Sequence, residues 1–179
     1  MIHRWRPRWR VFLRAAAVIL LGSSPLVAGP SLAQSGGAEN IAFGKKYILR
    51  PAPNYPLTQC PDDMKQLTDG VFTKGHFWTQ KSTVGWQHLA RGQTVDVIVD
   101  LGKVEPIGKV GISVGGDGGA VKFPKAIHAM VSMDANEWYV LGEITAPYRK
   151  DMRGHKAVLC EITARTKGRY VRFRVTPDE

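Results

Sequence analysis

The segment QLTDGVFTKGHFWTQKSTVGW, residues 66–86, gathers Phe72, His76, Phe77, Trp78 and Trp86 around one Asp-Gly pair and two lysines. Rings and donors at this density suit one chemistry in particular. A saccharide stacks the C–H face of its ring on an aromatic plane, while a few polar side chains hold its hydroxyls. Trp86, with His76, Lys81 and Gln87 close in sequence, supplies such a set. Asn54 and Tyr55 in RPAPNYP, on a proline-stiffened loop, offer a second platform. The same rings can equally serve packing, since loop backbone must stay near water and its aromatics either fold back on a core or face a ligand. At this level both roles stand open for Trp86.

Reactive groups are less well supported. GISVG, residues 111–115, matches the G-x-S-x-G nucleophile elbow. That motif needs its serine at a sharp strand-to-helix turn. Ser113 instead lies inside a run of alternating apolar residues with no helix after it. GGDGG, residues 115–119, lacks the helix and lysine of a phosphate loop and reads as a flexible connection. His76, His88, His128 and His155 show no zinc-ligand spacing. A pair of carboxylates for glycoside cleavage need only meet in space, and none stands out. The expectation is a non-catalytic protein.

The N-terminus sets the compartment. MIHRWRPRWRVFLR carries five arginines and no acid, an apolar run follows, and SLAQ places small residues at Ser31 and Ala33. This order describes a secretory signal peptide over residues 1–33, cut after Ala33. A membrane anchor is disfavoured, because the apolar run is shorter than the roughly 20 residues a span needs. The expected product is secreted or periplasmic. Without its leader the chain keeps 20 of its 25 Lys and Arg against 15 acids, so half of the +10 charge belongs to the leader. The remaining bias, with no clustered basic stripe, does not point to nucleic acid. Cys60 and Cys160 form an even pair outside the cytoplasm, consistent with a disulfide; two separate buried thiols are the alternative.

The elements that must hold these side chains are strands. TVDVIVDL, KVGISV, AIHAMVS, WYVLGEI and RYVRFRV each alternate apolar and polar residues, and Gly, Pro or Asp bound them. SMDANEW, residues 132–138, reads as the turn of a hairpin. After a short linker at 34–39, residues 40–179 have the size of one domain. The fold class is all-β, an antiparallel jelly-roll β-sandwich.

NIAFGKKY, LTDG with Trp78 after it, VDVIVDLG, SMDANEWYVLGEI and GRYVRFRV occur in the order found in discoidin, or coagulation-factor type C, domains. The chain resembles that family, part of the galactose-binding-like jelly rolls, over roughly residues 40–175. The resemblance implies ligand binding by loops at one end of the sandwich, no catalysis, and a structural calcium ion. It assigns Asp69 and Thr73 to the calcium loop, with an ordinary Asp-Gly turn as the alternative. It assigns Trp78 and Trp138 to packing. Relatives continue into a last strand bearing an acidic calcium ligand, which this sequence lacks, although Asp178 or Glu179 could stand in. The function expected is carbohydrate binding, in service of polysaccharide processing. The rivals are an adhesion module for anionic membrane surfaces and a fragment of a larger glycoside hydrolase.

Overall fold

The computed structural model describes residues 10–14, 39–73, 75–118 and 120–178. Of the expected leader, only 10–14 fall among them; the rest, with the linker up to residue 38, lies outside the described residues. Among the described residues, seven strands occur in the order β1 (Arg10–Arg14), β2 (Lys46–Arg50), β3 (Thr83–Gln87), β4 (Val95–Gly116), β5 (Ala126–Ser132), β6 (Tyr139–Glu143) and β7 (Lys156–Thr176). All pair antiparallel in the order β3-β1-β4-β7-β5-β6, with β2 also on β4. No helix among the described residues is long and apolar enough to cross a membrane.

β4 and β7 organise the molecule. TVDVIVDL and KVGISV, separate runs in the sequence, join into the single 22-residue strand β4, which pairs with β7 from Val95↔Val175 to Gly116↔Lys156. Register shifts between Asp100 and Glu105, and between Ile107 and Lys109, divide the ladder into two halves. Both halves feed one core. Val95, Val97, Val99 and Leu101 from the first half meet Val110, Ile112 and Val114 from the second, with Val158, Val171, Phe173 and Val175 of β7. Alternating residues from both halves reach the same interior only if the ladder folds over on itself, which gives the expected β-sandwich. Each fully buried aliphatic side chain here contributes roughly 1.5–3 kcal/mol.

Three expectations are corrected. The cysteines are free: Cys160 is buried in the core opposite Ile112 of β4, whereas the half-buried Cys60 directs its thiol at the carbonyl of Lys81, 3.4 Å away. GGDGG is not loose linker, because Gly115 and Gly116 end β4 beneath two phenylalanines; a Cβ on Gly115 would stand 2.7 Å from the Phe77 ring, and one on Gly116 2.4 Å from the Phe123 ring. The ring-rich segment is not all loop either, since its last residues form β3. The SMDANEW turn is present, closed by Asp134, whose Oδ1 accepts the N–H groups of Asn136 and Glu137.

Candidate functional site

Beyond β3, the ring-rich segment contains a short 3-10 turn, Phe77–Thr79, that sends neighbouring aromatics opposite ways. Phe77 is fully buried. Trp78 is half-buried, resting on Tyr55, Phe77 and Val121. Its ring is fixed edge-on to Phe77 at 5.1 Å between centroids. Two exposed histidines flank it, His76 at 5.0 Å and His155 at 5.7 Å. His155 arrives from the loop before β7, and that loop is tied down where the N–H of Gly154 donates to Oδ2 of Asp117 at 3.1 Å.

Gly118 completes the arrangement. A Cβ there would stand 2.4 Å from Cζ3 of Trp78, so the indole lies directly on glycine backbone. Asp117 also lines an open cavity of about 690 Å³ whose walls include Lys122, Glu143, Arg149 and Asp178. Arg149 is anchored by Glu143 at 2.7 Å and by the carbonyl of Pro124 at 3.1 Å; that contact holds the Glu143 carboxyl below its ordinary pKa. A fixed indole, two imidazoles and a carboxylate beside a charged hollow can stack on a sugar ring and hydrogen-bond its hydroxyls.

The residues expected from sequence disperse around this point. Trp86 is fully buried in β3, its Nε1–H donating to the carbonyl of Pro51 at 2.9 Å, so it presents no ring face to solvent. Tyr55 is likewise buried. Asn54 and Gln87 are occupied with each other: the Asn54 amide donates to the Gln87 carbonyl at 3.0 Å and accepts the Gln87 N–H at 2.8 Å. The Lys81 ammonium donates to the carbonyl of Gln59 at 3.0 Å. Of those six, His76 stands beside the Trp78 ring. The family resemblance assigns Trp78 to packing, and the ring does rest on Tyr55, Phe77 and Val121; that its remaining surface lies beside His155 is set by tertiary contacts and has no local sequence signal.

Asp69 Oδ1 accepts the N–H of Val71 at 2.8 Å, an ordinary Asp-Gly turn. The hydroxyl of Thr73 is buried against Ser82, 2.8 Å from its Oγ. No group of three or more His, Cys, Asp or Glu able to hold a metal occurs among the described residues. Calcium takes six to eight oxygens. Asp69 and Thr73 would bring one carboxylate and one hydroxyl to such a shell.

Trp138 occupies a different surface, half-buried beside Arg172, whose guanidinium lies 5.2 Å from its ring centroid.

Comparison with known proteins places this architecture. No curated protein matches the chain. Among solved structures it is similar to a chain titled "Glycoside hydrolase", with TM-score 0.34 and 16% identity, covering 51% of this chain and 18% of that one. It is also similar to "CpGH89CBM32-6 produced by Clostridium perfringens", with TM-score 0.35 and 18% identity, covering 50% of this chain and 64% of that one. The chain thus spans less than two thirds of either. A family model described as "F5/8 type C domain" matches residues 67–179, more than half of the sequence. The chain belongs to the F5/8 type C domain family.

Proposed function

We propose that this protein is an exported, non-catalytic carbohydrate-binding module that takes a neutral saccharide on Trp78. The observation that carries the reading is the half-buried indole with the exposed His76 and His155 both against its ring. Stacking on such a ring favours the apolar face of a pyranose, and the imidazoles with Asp117 give direction through its hydroxyls. Family membership supports a ligand-binding role. Affinity electrophoresis through neutral polysaccharides, followed by calorimetry with a monosaccharide panel, tests it. Retardation of the wild-type chain that disappears in Trp78→Ala is expected. No retardation by any neutral glycan, or equal retardation of the variant, would sink the reading.

A second reading, docking on anionic membranes, has its own observation. Phe43 and Val71 are exposed (64% and 56%), and the Phe43 ring lies against Gly70, next to Val71. Apolar tips of this kind insert into a headgroup layer. Pelleting with phosphatidylserine vesicles, lost in Phe43→Ser, would favour it over the glycan.

A further inference from the structure

The outward side of β2, β4 and β7 carries a grid set by strand register. Lys46 lies opposite Asp100 and Asp100 opposite Tyr170; Ile48, Ile98 and Arg172 form the next row; Arg50, Asp96 and Arg174 the third. The β5–β6 turn brings Trp138 alongside, its Nε1–H donating to the carbonyl of Ala135 at 3.1 Å. Lys46, Ile48, Arg50, Tyr170, Arg172 and Trp138 line a groove of about 500 Å³.

The charges in this groove do not cancel. Asp96 is taken by Arg172 and Arg174, and Asp100 by Arg169 through two 2.9 Å hydrogen bonds. Lys46 and Arg50 are exposed and enter no ion pair among the described residues. The Nε–H of Arg172 is buried without an acceptor. Two uncompensated cations therefore stand beside an indole and a phenol ring.

We propose that this groove is a second saccharide site, selective for acidic glycans. A pyranose would lie along Trp138 and Tyr170 on the sides that Arg172 and Arg169, stacked on these rings, do not take, and its carboxylate or sulfate would meet Lys46 and Arg50. A neutral sugar leaves both cations without a counter-charge, whereas an anionic group gains charge-assisted hydrogen bonds from each. Vesicle binding needs apolar tips that protrude beyond the cations; here rings and cations line one groove together. The site shares no residue with the Trp78 surface, so each can fail alone.

The test is affinity electrophoresis of the full chain in gels containing polygalacturonate, dextran sulfate or neutral galactan. The panel is wild type, the double variant Lys46→Gln/Arg50→Gln, and Trp78→Ala. Both cationic positions are exposed, so the double variant is expected to fold, and its thermal melt checks this. The expected result is retardation by an acidic polymer, weakened about tenfold in the double variant and by about 0.5 M salt, and kept in Trp78→Ala. The two acidic polymers distinguish carboxylate from sulfate as the anion. Equal retardation of the double variant, no retardation by either acidic polymer, or binding of phosphatidylserine vesicles alone would overturn the proposal.

Discussion

Trp78 lies so close over Gly118 that a Cβ at that glycine would stand 2.4 Å from Cζ3 of the indole. A ring that needs a bare backbone beneath it has its height and tilt set by one position on another segment. The two loops therefore form one packed unit, with Gly118 beneath Trp78 and His76 and His155 against its ring.

Gly118→Ala is expected to lower neutral-glycan affinity about tenfold, because the methyl group must push the indole off its seat. Calorimetry gives the affinity, and the tryptophan emission spectrum reports the shift in ring environment. Unchanged affinity would mean that Trp78 does not carry the sugar.

Trp86→Ala is expected to act through stability. The side chain is fully buried, and its removal leaves a cavity and an unpaired Pro51 carbonyl, for a loss of about 3–5 kcal/mol. Urea unfolding measures this. A variant with native stability and lost sugar binding would restore Trp86 as a ligand residue.

Asp96 predicts an acid-dependent term. Burial opposes its ionisation, yet hydrogen bonds from Arg172 and Arg174 outweigh this and bring its pKa below the ordinary 3.8. The ionised form therefore stabilises the fold above that ordinary value, and the contribution is lost as pH falls through the lower folded value. Asp96→Asn is expected to cost about 2 kcal/mol at neutral pH. Melting temperatures of variant and wild type, followed from pH 7 downward, should converge below about pH 4.

The thiols should differ in reactivity. Burial pushes the Cys160 thiol up to about 12, and it sits in the core, whereas Cys60 is half-buried on a loop. Ellman's reagent is expected to titrate one thiol in the native protein and a second only in denaturant. A reductant should leave the melting temperature unchanged. Two unreactive thiols in oxidised, unfolded protein would instead reveal a bridge.

β1 lies between β3 and β4, pairing with β3 at five positions and β4 at two. Export with cleavage after Ala33 would remove it, so the mature chain would leave β3 without its ladder partner and a row of β4 backbone groups open. Unpaired edges destabilise and associate. The 34–179 protein is expected to melt several degrees lower than the full chain and to elute larger on gel filtration. Identical melts would show that β1 adds nothing to the sheet.

The alternation of TVDVIVDL and RYVRFRV was enough to establish strands, their inward faces and the all-β class, because strand period is a property of neighbours in the chain. β3 is not legible in the sequence for an equally physical reason: Thr83, Val84, Gly85 and Trp86 are all buried, so no polar face marks TVGWQ as a strand. Which tryptophan faces solvent could not be read locally either. Trp78 and Trp86 share a segment, and only the ladder that buries β3, together with the loop that brings Gly118 under Trp78, separates their roles. His155 and His76 lie far apart in sequence and both reach the Trp78 ring, just as Lys46 and Tyr170 both lie opposite Asp100. Local pattern decides what each residue prefers to face; long-range register, fixed only when the whole core closes, decides which residues face the same ligand.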